Sequence, residues 1–273
     1  MSHAAGSSFN RRRIVPCVLT GLLSLGALTI GAAITAQAAN EPTVLITGSS
    51  RGIGLELARQ YAERGWQVIA TCRTPAKAAD LQAIAADHDN LVVEQLDVTD
   101  FEEVDALAAK YADRPIDVLL NNAGISGGSE NQEFGNYQFD VYYQVHAVNV
   151  VGPLKMAEAF IEHVRASEQK KIINITSTQG SIARNFGGNV FYRSSKSALN
   201  MAMNTLAIEL KKEGITVGLV SPGFVKTDFT RGLDLPIMIT PEESAASVIS
   251  VIDDYGFEKT GMFIRHTNEE APW

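Results

Sequence analysis

Tyr192 and Lys196 stand four residues apart in the run Tyr192-Arg193-Ser194-Ser195-Lys196, and Ala198, Leu199 and Met201 continue a helical pattern beyond them. Four residues make one helical turn, so both side chains leave the same face. A phenol ordinarily loses its proton near pH 10, too high for acid–base work at neutrality. A neighbouring ammonium favours the phenolate and draws that pKa down toward the working range. The pair has the chemistry of a proton donor and its tuner. The same spacing also suits a solvated helix face, so other residues must decide.

A second chemical signature lies near the start of the periodic pattern. The short β-branched run Thr43–Thr47 reads as a buried strand. It passes directly into Thr47-Gly48-Ser49-Ser50-Arg51-Gly52-Ile53-Gly54, and a helix begins there. Gly48 permits a tight turn, Gly52 lets backbone approach a pyrophosphate, and Gly54 allows close helix–strand packing. The helix N-terminus then offers free N–H groups and a positive dipole end to the anion. The spacing departs from the commoner GxGxxG fingerprint. Strand before and helix after nevertheless point to a dinucleotide held by Thr47, Gly48, Ser50, Arg51, Gly52, Ile53 and Gly54. The second strand ends Ala70-Thr71-Cys72-Arg73. An NAD site wants an acid there for the ribose 2′-hydroxyl. Arg73 stands in its place, with Arg51 in the turn, and both suit a 2′-phosphate. NADP is therefore expected in preference to NAD. Asp97 and Val98, after the third strand, are placed to meet the adenine ring.

The elements that must position these residues alternate along the chain. Strands are expected at Thr43–Thr47, Gln67–Thr71, Leu91–Leu96, Asp117–Leu120, Lys171–Thr176, Thr216–Val220 and Gly261–Ile264. Helices are expected from Gly52 to Arg64, from Pro75 to about Asp87, and from the cap Asp100 to about Tyr111. Others run from about Tyr137 to His163, over 190–212, and from Pro241 to Asp253. Several strands are apolar on both faces. This pattern predicts an α/β fold, a Rossmann-type doubly wound parallel sheet of about seven strands with helices on both faces. Nothing marks a second domain within 39–273.

At this point the chain resembles the short-chain dehydrogenase/reductase family over essentially all of residues 42–273. The matching pieces are Thr47–Gly54, Asn121-Asn122-Ala123-Gly124, Asn149, Asn174-Ile175-Thr176-Ser177, Tyr192–Lys196 and Ser221-Pro222-Gly223. Thr71-Cys72-Arg73, Gly180-Ser181-Ile182, Gly187-Gly188, Ser197–Met201 and the terminal Ala271-Pro272-Trp273 are similar to the C-factor/sniffer-like carbonyl reductase branch. Ser177 precedes Tyr192 by slightly more than the usual family spacing, and Gly187-Gly188 accounts for the excess. The resemblance implies that Tyr192 gives a proton to a carbonyl oxygen as hydride arrives from the nicotinamide. It implies that Lys196 lowers the pKa of Tyr192 and holds the nicotinamide ribose. Ser177 would hold the carbonyl oxygen, and Asn149 would seat a water in a proton relay. Asn121, Ala123, Gly124, Pro222, Gly223, Val225 and Thr227 would line the cofactor. The segment from about 228 to 240 would be a substrate lid, whose Leu233, Leu235, Ile237 and Met238 suggest an apolar or aromatic carbonyl compound. The implied function is NADPH-dependent reduction of a carbonyl, or oxidation of the alcohol, by a homodimer or homotetramer. Alternatives are a cofactor-binding signalling protein of the C-factor type and an epimerase or dehydratase on the same fold.

The remaining features bound the function. A net charge of -8 and no basic stripe argue against a nucleic-acid partner. His3, His88, His146, His163 and His266 are scattered and show no metal-ligand spacing. Cys17 and Cys72 cannot make a disulfide framework. Residues 1–38 read as an export signal: Arg11-Arg12-Arg13, an apolar stretch from Ile14 to about Ala33, and small residues at Ala36 and Ala38. Arg12-Arg13 before Ile14-Val15 suits the twin-arginine route, although Asn10 stands where Ser or Thr is usual. A periplasmic location is expected. The alternative is an uncleaved anchor, since 14–33 is long enough to span a bilayer.

Overall fold

The apolar runs become strands covered on both faces. The computed structural model of the chain describes residues 41–273, and the expected signal or anchor at 1–38 lies outside them. The strands are β1 (Thr43–Ile46), β2 (Gln67–Cys72), β3 (Leu91–Gln95), β4 (Val118–Asn121), β5 (Lys171–Ile175), β6 (Thr216–Ser221) and β7 (Phe263–Arg265). They form one parallel sheet in the order β3-β2-β1-β4-β5-β6-β7. The helices are α1 (Gly52–Glu63), α2 (Ala79–Asp87), α3 (Phe101–Lys110), α4 (Phe139–His146), α5 (Gly152–Ala159), α6 (Ile161–Arg165), α7 (Val190–Leu210) and α8 (Pro241–Asp253). This is the expected doubly wound Rossmann architecture.

Side chains alternate across a strand, and both faces here meet apolar partners. Val44, Ile46, Val68, Ala70, Leu120 and Ile173 enter one core with Leu57 and Tyr61 of α1, Leu81 of α2 and Val248 of α8. Leu45, Ile69, Leu119, Ile172, Val217 and Leu219 point the other way, onto Val104 of α3, Met156 of α5 and Leu199 and Met203 of α7. The strand order reverses between β1 and β4. In such sheets a crevice opens at the carboxyl ends of the strands at that switch point.

Helix ends follow their residues. Asp100 accepts hydrogen bonds from the N–H groups of Glu102 and Glu103 and caps α3. Thr240 and Glu243 form a capping box at the start of α8. Three expectations need correction. The helix foreseen from Pro75 is a short 3₁₀ turn, Pro75–Lys77, separated from α2 by Ala78, whose φ of -96° and ψ of 61° are not helical. The long helix foreseen from Tyr137 to His163 is α4, a π-helical turn over Ala147–Val151, then α5 and α6. Pro153 has no N–H for the carbonyl of Asn149, so the regular ladder cannot run through. The last strand starts two residues later than expected, because Gly261 turns the chain at a φ of +83°.

Candidate active site

The glycine turn is built to bring backbone close to a ligand. Gly48 and Gly52 have φ of +72° and +58°, where an L side chain is strained. A Cβ on Gly48 would lie 2.9 Å from Ala123 Cα, and one on Gly54 would collide with the Gly48 carbonyl and the Asn122 amide. Asn122 Nδ2 donates to the carbonyls of Thr47 (2.9 Å) and Gly48 (3.2 Å). Thr47 Oγ1 accepts from the N–H groups of Asn122 and Ala123, both at 3.0 Å. These bonds lock the turn after β1 to the end of β4. At the start of α1, Arg51 provides no side-chain cap, so the first N–H groups of that helix remain available to an anion.

A cavity of about 990 Å³ runs from this turn across the switch point. Its wall includes Gly48, Ser50, Arg51, Gly52, Ile53, Gly54, Arg73, Asp97, Val98, Ala123 and Gly124. It continues through Ser177, Tyr192, Lys196, Pro222, Gly223, Val225 and Thr227. Three expected site residues lie behind the wall instead. Thr47 is buried and braces the turn. Asn121 is buried and donates to Asn174 Oδ1 at 2.9 Å across β4 and β5. Asn149 is fully buried beneath Gly124.

Tyr192 and Lys196 share one face of α7, as their spacing requires. Lys196 Nζ donates to the carbonyl of Ile175 at 2.8 Å and lies 5.7 Å from the centre of the Tyr192 ring. Burial pushes the ammonium down to about 8. Burial also pushes the Tyr192 phenol up to about 12, against a smaller downward pull from the Ser177 hydroxyl. The expected lowering by Lys196 is therefore not what this arrangement produces. The ammonium is aimed at a backbone carbonyl, and desolvation governs both groups. At neutral pH the phenol keeps its proton, the form that a proton donor needs.

The π turn holds Asn149, as such turns often hold functional residues. Its amide is fully engaged on the donor side. Nδ2 donates to the carbonyl of Ile125 and to Ser195 Oγ, both at 2.9 Å, while Oδ1 accepts from the Ile125 N–H at 2.9 Å. Ser195 Oγ in turn donates to the Tyr192 carbonyl at 2.7 Å. Asn149 thus joins the loop after β4 to α7. Pro153 has no N–H to offer the Asn149 carbonyl.

Several residues of the site were not legible beforehand. Asn122, in the Asn121–Gly124 run, braces the glycine turn through its side-chain amide, a contact its sequence position did not reveal. Ile125, Ser126 and Gln179 line the cavity with no pattern to announce them, while Phe229 lies in the segment expected as a lid. Phe229 packs against the Tyr192 ring at 5.9 Å between centres. Of the residues expected to suggest an apolar substrate, Leu233, Leu235 and Ile237 are exposed and Met238 is buried. The segment expected as a lid meets the cavity through Asp228, Phe229 and Thr230. Near the turn, Arg51 Nη1 lies 3.4 Å from Asp228 Oδ2, and Asp228 also pairs with Arg231. Arg73 makes no ion pair among the described residues and opens onto a hollow lined by Asp97, Asp100, Glu102 and Glu103. Among the described residues no cluster of His, Cys, Asp or Glu is arranged to hold a metal.

Comparison with known proteins follows from this geometry. The family model for short chain dehydrogenases matches residues 42–236. The chain is 36% identical over 238 residues to a 1-hydroxy-2-glutathionyl-2-methyl-3-butene dehydrogenase of Rhodococcus sp. (strain AD45), covering 85% of this chain and 99% of that protein. The NADPH-bound carbonyl reductase from chicken fatty liver superposes with a TM-score of 0.80 at 31% identity, over 85% of this chain and 99% of that one. The carbonyl reductase Sniffer of D. melanogaster does so with a TM-score of 0.79 at 30% identity, over 86% and 100%.

Proposed function

Because the chain belongs to the short chain dehydrogenase family, and is an NAD(P)-dependent oxidoreductase of it, we propose a finer reading. It is an NADPH-dependent carbonyl reductase in which Tyr192 is the proton donor. The observation that carries this reading is one continuous cavity. It begins at an uncapped helix N-terminus behind crowded glycines and ends at Ser177, Tyr192 and Lys196. A dinucleotide suits this cradle, since glycine at Gly48 and Gly54 lets the turn pack tightly on Ala123 and Asn122 and leaves the helix N-terminus facing the cavity.

When bound, NADPH supplies hydride to the carbonyl carbon of the substrate. The chain's residues do the rest. The protonated Tyr192 hydroxyl donates to the substrate oxygen and hands over its proton as charge builds there. The Ser177 hydroxyl donates to the same oxygen and stabilises that charge. The buried Lys196 ammonium compensates the phenolate left behind, and a water on the Asn149 carbonyl reloads the proton through Lys196. Arg73 and Arg51 hold the 2′-phosphate. Phe229, set edge-on to the Tyr192 ring, favours a substrate with an apolar or aromatic group beside its carbonyl. A pure signalling role for the cofactor would have no use for the Tyr192–Ser177–Lys196 arrangement. The export of the protein through residues 1–38 is part of the same proposal.

The test is a panel of carbonyl compounds followed by NADPH absorbance, with wild type and Tyr192→Phe protein lacking residues 1–38. The Phe variant should lose at least about a hundredfold in turnover, the usual worth of a general acid, with NADPH binding almost unchanged. Near-normal turnover by that variant, on a substrate the wild type reduces, would remove Tyr192 from the chemistry.

A further inference from the structure

The helix that carries Tyr192 begins without a cap of its own. Asn189 precedes α7 with φ 47° and ψ 44°, and its side chain accepts no bond from the helix. The first N–H groups of a helix have no intrahelical partner and need an acceptor from elsewhere. Here one arrives from far along the chain. Gln132 Oε1 accepts from the Phe191 N–H at 2.8 Å and from the Tyr192 N–H at 3.4 Å. The other end of the same amide, Nε2, donates to the carbonyls of Ser126 (2.9 Å) and Gly128 (2.8 Å). Gln132 is only 8% exposed. Ser126 lines the active-site cavity and Gln132 does not.

We propose that Gln132 is a positioning residue for the reaction: its amide caps the Tyr192 helix through the oxygen and tethers the cavity loop at Ser126 through the nitrogen. Side-chain packing alone leaves this link unreplaced. Phe191 is locked by Tyr137 and Tyr142, with ring centres 5.5 Å and 5.2 Å away, but that contact sits one residue before the phenol. Backbone at Tyr192 itself is held by Gln132 at the N–H and by Ser195 at the carbonyl. Without the cap, the first turn of α7 frays, and the Tyr192 hydroxyl loses its alignment on the substrate oxygen. A misplacement of about 1 Å costs on the order of a hundredfold in rate. Without the tether, the loop wall at Ser126 loosens, and substrate is held less well. The two ends of one amide therefore act on different kinetic constants.

The inference rests on Tyr192 being the proton donor, and two substitutions separate its parts. Gln132→Met keeps the bulk and removes all four bonds. Gln132→Glu keeps the acceptor, at a helix N-terminus where a negative charge is favoured, and removes both donors. With the best carbonyl substrate from the panel, Gln132→Met should lower kcat by about ten- to a hundredfold and raise KM. Its NADPH affinity, read by nucleotide fluorescence, should stay within about twofold of wild type, because no bond to the glycine turn is touched. Gln132→Glu should keep kcat within about threefold of wild type while its KM rises like that of the Met variant. If the Met variant does not fold, the Glu variant decides alone by the same split between kcat and KM. Equal loss of kcat in both variants, or joint loss of NADPH binding with kcat, would reduce Gln132 to a structural residue and overturn the proposal. Unchanged kcat in Gln132→Met would overturn it too. A Tyr192→Phe protein that still turned over would instead bring down the proton-donor reading itself, and the role of Gln132 with it.

Discussion

Cofactor choice is the sharpest consequence of the residues after β2. Arg73 is exposed, free of any ion pair among the described residues, and stands beside four carboxylates of the neighbouring hollow. Three of those carboxylates are already engaged: Asp97 by Thr99, Asp100 by the start of α3, and Glu103 by Gln95 and the Asp97 N–H. They do not compete for the guanidinium at close range. A hydrogen bond to a charged group contributes about 1.5–3 kcal/mol. Exposure to solvent screens the pair, so the lower end, about 1.5 kcal/mol, is the appropriate value. That is roughly tenfold in affinity. Wild type should therefore bind NADPH at least about tenfold tighter than NADH, with Arg51 adding to the margin. Arg73→Ala should remove about a factor of ten from NADPH and leave NADH nearly unchanged. Arg73→Asp should reverse the order, because it repels a 2′-phosphate and offers an acceptor to a ribose hydroxyl. Titration by nucleotide fluorescence at low and high salt measures all of this. High salt should shrink the NADPH advantage, since the Debye length falls to about 3 Å at 1 M. Equal wild-type affinities, or a ratio that ignores Arg73, would refute the assignment of this side chain to the 2′-phosphate.

Two further outcomes are expected. Lys196 is buried, with its ammonium pushed from 10.5 down to about 8. A pKa depressed on folding means that the unfolded chain binds the extra proton between those values. Stability from this group is therefore present above about pH 10.5 and lost as the pH falls through about 8, by at most about 3 kcal/mol. Urea melts of cofactor-free protein at pH 7.5 and 9.5 should show wild type gaining on Lys196→Met across that interval; parallel curves would contradict the buried-ammonium account. For the proposed export, replacing Arg12 and Arg13 with Lys preserves charge but should leave the precursor in the cytoplasm, because the twin-arginine signal is read by a receptor. Cell fractionation with N-terminal sequencing, expected to find a cut near Ala38, decides it. Normal export of the double-Lys protein would indicate the general secretory route, and an uncut membrane form would indicate an anchor.

What could be read in advance was whatever repeats a local rule. The strands announced themselves because a parallel sheet covered on both faces needs runs such as Val44-Leu45-Ile46 and Ile172-Ile173. The glycine turn was legible because only glycine tolerates the contacts at Gly48 and Gly54. Tyr192 and Lys196 were legible because helical spacing fixes their common face. The charge state of that pair was not. Spacing brings an ammonium near a phenol, but desolvation depends on the strands and loops packed around both, and here it raises the phenol and lowers the ammonium. The break after His146 had a visible cause in Pro153, yet periodicity alone could not say that the ladder would widen into a π turn rather than simply end.

Residues joined across long stretches of chain carry no such local mark. Gln132 and Phe191 are 59 positions apart, and Asn149 and Ser195 are 46 apart. A glutamine in a polar loop looks like any solvated loop residue until the fold buries it. Its burial matters because an amide enclosed with all its bonds made cannot lose one end cheaply; each orphaned N–H or carbonyl costs about 1–3 kcal/mol. Asn149 and Gln132 are both such amides, and both connect the loop after β4 to the first turns of α7. The side chains proposed to do the chemistry line the cavity from α7, but α7 is held in register by groups outside that cavity. On the proposed reading, the geometry of the Tyr192 proton donor is therefore set from behind the wall.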